Sequence, residues 1–161
     1  MDYQGILSEI AQEIQPLLGQ GAVADYIPPL ATVDPNRFGM ALRLLDGTEF
    51  VAGEADHPFS IQSVSKVFRL ALAMEIHGDA IWRRVGREAS GTAFNSLIQL
   101  ETERGIPRNP MISAGALVTM DAIMQPGGDP DPGIDFIHRC LDGQPVTHDH
   151  GVADAELATT H

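Results

Sequence analysis

Around Ser65 and Lys66, the residues Val64, Val67, Phe68, Leu70, Ala71, Leu72, Ala73, Met74 and Ile76 run up to Gly78 and leave a helix almost no polar face. A helix of that kind belongs in a core, so the remaining sequence has to supply elements that cover it. With 161 residues, folding can bury roughly 70% of the surface an unfolded chain exposes, enough for one domain with a real core. The 43% hydrophobic and 20% charged contents are ordinary for a globular chain. No apolar run approaches the roughly 18 residues needed to cross a bilayer. Membrane spanning, collagen-like structure and wholesale disorder are excluded.

The covering elements are legible at several points. Ile6, Leu7, Ile10, Ala11, Ile14, Leu17 and Leu18 recur at three and four residues, which predicts an amphipathic helix closed by Gly19 and Gly21. Pro16 removes a backbone donor, so a kink or stop is expected near Gln15. The paired prolines of Tyr26-Ile27-Pro28-Pro29-Leu30 favour an extended loop. Residues 38–45 and 48–53 alternate around Asp46-Gly47, which predicts a hairpin with a type I′ turn. Asp79 is placed to cap a short helix through Val85, and residues 113–124 form a second apolar helix. Between them, residues 86–110 are mostly turn chemistry, with a brief apolar stretch at 94–100. The Pro/Gly/Asp-rich residues 125–132 suit a surface loop leading into a helix at 134–141, and residues 152–160 are weakly helical. The expected class is α+β, a helical region packed beside an antiparallel sheet. No internal repeat is visible, leaving one domain or one piece of a domain.

Ten basic against twenty-two acidic side chains give a formal charge of -12, which repels phosphate backbones and anionic lipid; neither nucleic acid nor a membrane is expected as a partner. The single cysteine, Cys140, cannot form an internal disulfide, and the start MDYQGILSEI has neither a basic nor an apolar leader region, so a cytoplasmic location is expected. Cys140 follows Ile137 in a helical stretch, which predicts a buried, inert thiol. His148-Asp149-His150 offers ligand chemistry without a third ligand placed to complete a site, and Asp129, Asp131 and Asp135 lack the spacing of a calcium loop. No metal is expected. His57, His77, His138 and His161 are scattered and suit surface or packing roles.

The chain has nine arginines and one lysine, Lys66, and that lysine sits at the start of the most apolar helix. A neutral amine can take a proton, whereas a guanidinium stays protonated, so a general base at this position has to be lysine. Ser63-Val64-Ser65-Lys66 has the form Ser-x-x-Lys, in which one helical turn brings hydroxyl and amine to the same face. The first turn of a helix also supplies unpaired backbone donors that stabilise an oxyanion. The same pattern serves as the nucleophile motif of penicillin-recognising enzymes. Taken alone it is weak: chance produces Ser-x-x-Lys in roughly half of chains this long. Ser60 or Ser63 as an N-cap, with a lysine snorkelling to water, accounts for it without any catalysis.

Several longer words narrow the choice. Tyr26-Ile27-Pro28-Pro29-Leu30-Ala31, Phe59-Ser60-Ile61-Gln62-Ser63-Val64-Ser65-Lys66, Gly86-Arg87-Glu88-Ala89-Ser90-Gly91-Thr92-Ala93-Phe94-Asn95 and Asn109-Pro110-Met111-Ile112 together resemble the serine-dependent L-glutaminase family. The resemblance covers nearly the whole chain. It implies the β-lactamase-like serine hydrolase fold, and conversion of L-glutamine to L-glutamate and ammonia without metal or organic cofactor. By position, it makes Ser63 the nucleophile, Lys66 its base and Tyr26 a residue closing over the reacting centre. It makes Gln62 a substrate contact beside the nucleophile, and Glu156 the carboxylate that binds the substrate's ammonium. It also implies association into homo-oligomers.

Two departures from the family pattern accompany the match. Family members are considerably longer, so residues 1–161 correspond to the N-terminal portion of a single glutaminase domain whose C-terminal half is absent. The fold is then expected to be truncated, with an incomplete sheet, and the absent portion carries further substrate contacts, a second catalytic tyrosine and an oxyanion donor. Loss of one such donor costs on the order of a hundred- to a thousand-fold in rate. Ser113 stands where the family has asparagine before Ala-Gly-Ala, so a hydroxyl replaces a carboxamide that contacts the substrate carboxylate. Besides a glutaminase, another Ser-x-x-Lys acyl-transfer enzyme and a non-catalytic remnant that pairs with other chains stay open.

Overall fold

The structure is a computed structural model that describes residues 1–91, 93–96, 100–101, 103–124, 131–141 and 144–159. The regular elements, in chain order, are α1 (Tyr3–Ile14), α2 (Pro28–Ala31), β1 (Gly39–Arg43), β2 (Glu49–Gly53), α3 (Ser65–His77), α4 (Ser113–Ile123), α5 (Pro132–Cys140) and α6 (His150–Thr159), joined in part by single 3₁₀ turns. They fall into two compact units, one of Met1–Ser60 with His148–His161 and one of Ile61–Thr147.

In the first unit, Asp2 caps α1 by accepting from the Gly5 amide at 2.9 Å. The helix gives way at Gln15–Leu17 to a 3₁₀ turn that contains Pro16, the stop that the missing amide predicts. β1 and β2 pair antiparallel from Gly39↔Gly53 to Arg43↔Glu49. Met40, Leu42, Phe50 and Ala52 share the half-buried face, while Ala41, Arg43, Glu49 and Val51 face water. Helix α1 packs on β2: the Tyr3 and Phe50 rings lie 5.5 Å apart and the Gln4 side chain donates to the Val51 carbonyl at 2.9 Å. Leu7 is the buried residue of α1.

Two expectations for this unit are corrected. The hairpin loop is not a type I′ turn. Gly47 has φ +87° but Asp46 is not in the positive region, and the Leu44 amide donates to the Thr48 carbonyl at 2.9 Å while the Gly47 amide donates to the Leu44 carbonyl at 3.0 Å. This is a three-residue loop with glycine at its left-handed position. The cause is Asp46, whose carboxylate accepts from the Thr48 amide at 2.9 Å and so stays in an ordinary conformation. The prolines of residues 28–29, expected to be extended, instead open the short helix α2. Proline's missing amide costs nothing in a first helical turn, where that amide has no partner. Helix α2 packs against α6, whose Asp149 accepts from the Val152 amide at 3.0 Å. Ile27 and Val152 are buried.

In the second unit, α3 packs against both α4 and α5. Leu72, Ala73, Ile81, Val85 and Ile123 form the core, with Trp82, Val118, Met120, Ala122 and Phe136 around it. His77 donates through Nε2 to the Ala122 carbonyl at 2.7 Å, tying the end of α3 to α4. The expectation that α3 is buried on all sides is corrected: Val67, Met74 and Ile76 are exposed. Asp79 does not cap the next turn, which starts from Gly78 at φ +53° and has no side-chain cap. Helix α5 is capped by Asp131, which accepts from the Ile134 amide at 3.2 Å, and carries His138 and Arg139 in its last turn, where the helix dipole favours positive charge. Cys140 is exposed rather than buried. The inward stripe of Gly133 and Ile137 continues to Leu141, one position past it. Part of the apolar stretch at 94–100, the loop residues 125–130 with Asp129, and His161 lie outside the described residues.

Candidate active site

After the irregular residues 54–61, a 3₁₀ turn, Gln62–Val64, runs straight into α3. Gln62 sits at φ +43°, a conformation that a non-glycine residue adopts only under constraint. Its carbonyl and that of Ser63 both accept from the Ser65 amide. Ser63 is exposed on this turn, ahead of the helix.

Lys66, in the first turn of α3, is partly buried. Its Nζ donates to the Met111 carbonyl at 2.9 Å and lies 5.8 Å from the centre of the Phe94 ring. Neither partner was assigned a role from the sequence. The Met111 carbonyl owes its direction to Asn109: the Asn109 Oδ1 accepts from the Met111 amide at 3.0 Å and the Ile112 amide at 3.1 Å, and its Nδ2 donates to the Glu88 carbonyl at 2.8 Å. The Glu88 amide returns a bond to the Arg108 carbonyl at 2.9 Å, and the Gly86 amide one to Pro107 at 2.7 Å. The Ser113 amide, at the start of α4, donates to the Phe94 carbonyl at 2.8 Å.

Glycine is required at two close approaches in this assembly. A Cβ on Gly86 would lie 2.6 Å from the Arg108 carbonyl oxygen, and one on Gly115 would lie 1.9 Å from that of Asn109. The words around Gly86–Asn95 and Asn109–Ile112 therefore fold against each other, with the lysine between them. The asparagine-proline turn was the available sequence signal for Asn109.

Gln62, Ser63, Lys66 and Ser113 thus belong to the second unit, with Ser113 half-buried at the first position of α4. Tyr26 and Glu156 belong to the first. There Tyr26 is 67% exposed just ahead of α2, and Glu156 is exposed on α6, the helix packed beside α2. The His148 and His150 rings stack at 5.9 Å while Asp149 is engaged as the cap of α6. Among the described residues no three acidic, histidine or cysteine side chains are placed to hold a metal ion.

Residues 21–161 match the family model named Glutaminase. The chain belongs to the glutaminase family. It is 51% identical over 162 residues to the glutaminase of Rhizobium rhizogenes, covering 98% of this chain and 52% of that protein. It is also 51% identical over 161 residues to that of Pseudoalteromonas translucida, covering 99% and 52%. This member of the glutaminase family spans about half the length of the curated relatives it matches. Among solved structures, a crystal structure of the protein called Mglu in its tris and glutamate form superposes with a TM-score of 0.84 at 35% identity, over 99% of this chain and 36% of that one. A probable glutaminase from Bacillus subtilis, complexed with 6-diazo-5-oxo-L-norleucine, gives 0.74 at 27% identity over 100% and 48%. These neighbours are glutaminases of the β-lactamase-like fold, and the α+β arrangement here is part of that fold.

Proposed function

We propose that this chain carries the nucleophilic half of an L-glutamine amidohydrolase, converting L-glutamine and water to L-glutamate and ammonia. The observation that carries the reading is the exposed Ser63 one turn ahead of the lone lysine, whose amine is held in place by a backbone carbonyl. Ser63 Oγ attacks the side-chain amide carbon, and its proton passes to the neutral Lys66 amine. One amine N–H stays on the Met111 carbonyl, leaving the lone pair free for that proton. The proton then moves to the departing nitrogen, ammonia leaves, and water hydrolyses the ester to release glutamate and restore Ser63. Tyr26 acts near the reacting centre, Gln62 and Ser113 contact the substrate, and Glu156 pairs with its α-ammonium. No metal or organic cofactor enters these steps.

The proposed setting is the cytoplasm, whose reducing conditions keep the exposed Cys140 a thiol. The proposed assembly is a homo-oligomer, supported by the apolar side chains that α3 leaves exposed. Neither nucleic acid nor a membrane surface suits a chain of charge -12.

The test is exposure of the purified chain to 6-diazo-5-oxo-L-norleucine, a glutamine analogue with a diazoketone in place of the carboxamide, followed by intact-mass analysis. The Ser63 oxygen bonds to the diazo carbon, dinitrogen leaves, and the hydroxyl proton ends on that carbon. A single adduct, lost in Ser63→Ala and in Lys66→Ala, supports the reading. A folded chain that takes no adduct favours a non-catalytic role in association with another chain.

A further inference from the structure

We infer that Asn109 is a positioning residue for Lys66, acting through the Met111 carbonyl; the inference rests on the glutaminase reading for its consequence in catalysis, but not for the contact itself. A lysine stem has four rotatable bonds, and the placement of its amine is set by whatever the amine bonds to. Here the anchor is one carbonyl oxygen, 45 residues away in sequence and 2.9 Å away in space. That carbonyl lies in a loop between Arg108 and α4, and a loop carbonyl has no ladder or helix to aim it. Asn109 supplies the aim. Its Oδ1 takes both the Met111 and Ile112 amides, so the peptide planes on either side of the Met111 Cα are fixed by one side-chain atom, and the second of them, with its Ile112 N–H on Oδ1, points the Met111 carbonyl the opposite way.

The asparagine is itself fixed twice. Its Nδ2 is bonded to the Glu88 carbonyl, and its own carbonyl lies so close to α4 that only glycine fits at position 115. Phe94 closes the other side: its ring lies near the amine, and its carbonyl is bonded to the Ser113 amide. The amine is thus held by a rigid loop assembled from two separate segments. Asparagine is needed because Oδ1 and Nδ2 act in opposite directions, one accepting from the loop and the other donating to the neighbouring segment.

The experiment uses the fact that Lys66 is the only lysine, so protein grown with ¹⁵N-lysine gives one side-chain amine signal. Proton exchange from that amine is measured by NMR in the wild type, Asn109→Asp, Asn109→Ser and Asn109→Ala, with circular dichroism as the folding control. Exchange is expected to rise about tenfold in Asn109→Ala, the scale of one lost hydrogen bond. Asn109→Asp, which keeps the acceptor for the loop amides but sets a carboxylate oxygen against the Glu88 carbonyl, and Asn109→Ser, which makes a weaker turn of the same kind, are both expected to fall between the wild type and Asn109→Ala. If the alanine chain does not fold, the aspartate and serine chains carry the comparison. Equal exchange in all the folded variants overturns the inference.

The second reading is the rate of Ser63 labelling by 6-diazo-5-oxo-L-norleucine. Asn109→Ala is expected to lower the maximal labelling rate about tenfold with the half-saturating concentration unchanged, and Asn109→Asp, which keeps only the acceptor, to restore it in part. Labelling at the wild-type maximal rate in Asn109→Ala overturns the inference. A wild type that takes no label while its exchange still depends on Asn109 defeats the glutaminase reading and leaves the positioning role standing.

Discussion

At the scale of single residues, the outcome at position 115 is decided by two opposed effects. Alanine is favoured over glycine inside a helix by about 1 kcal/mol. Against this, the added Cβ would stand 1.9 Å from the Asn109 oxygen and 2.9 Å from the Pro110 Cα, both backbone atoms with no rotamer to escape into. Overpacking costs about 1–3 kcal/mol, and an approach this close to fixed backbone falls at the upper end, so Gly115→Ala is expected to lower stability by about 2 kcal/mol net. A urea midpoint at or above that of the wild type would contradict it. Ser113 carries a second expectation. With a hydroxyl where the resemblance implies a carboxamide, the proposed contact to the substrate carboxylate is shortened and needs a bridging water. Ser113→Asn should therefore lower the half-saturating concentration of 6-diazo-5-oxo-L-norleucine severalfold, the worth of about one hydrogen bond, with little change in the maximal labelling rate. An unmoved half-saturating concentration counts against the role. The serine and lysine were legible as a pair because they lie within one turn. Asn109 and the Met111 carbonyl were not assigned, because their meaning arises only when chain 45 residues away returns to the amine.

At the scale of elements, the hairpin shows how far local pattern reaches. Its strands followed from alternation, and the alternation does divide half-buried from exposed residues along β1 and β2. Its turn type did not follow, since Asp46 spends its side chain on the Thr48 amide and leaves the left-handed conformation to Gly47 alone. Position likewise overrides preference at Pro28 and Pro29, whose pairing favours an extended path but which start α2. The Asp46 bond has a consequence in pH. Acceptance from the Thr48 amide holds its carboxyl below the ordinary value of 3.8. A group depressed on folding contributes stability that is present above its unfolded value and is lost as pH falls through the folded one. The Thr48 amide signal is therefore expected to titrate in acid with a midpoint below 3.8, and Asp46→Asn to abolish that titration while keeping the loop. A midpoint at or above the ordinary value would show that the carboxylate is not held by the turn.

At the scale of the whole chain, the second compact unit begins at Ile61, just ahead of the apolar run that opens at Val64. The sequence showed no sign that the last helix would rejoin the first unit, because that return depends on α2, an element it did not foresee. It also overstated the burial of α3, whose Val67, Met74 and Ile76 are 56%, 41% and 45% exposed. Leu117 on α4 is 67% exposed. Covering a side chain of this size is worth about 1.5–3 kcal/mol, so a few on each copy offset an association cost of about 4–15 kcal/mol. The charge of -12 opposes association at low ionic strength, where repulsion reaches furthest. The two terms respond oppositely to salt, and this separates them. Sedimentation velocity is expected to show association that grows with protein concentration and strengthens between about 0.05 M and about 0.5 M salt, as screening removes the repulsion and leaves the apolar contact. Val67→Glu with Leu117→Glu should return the chain to monomer at both. Association that weakens with added salt would mean that ion pairs hold the copies together, and a monomer under all conditions would mean that the exposed stripe is too small to join them.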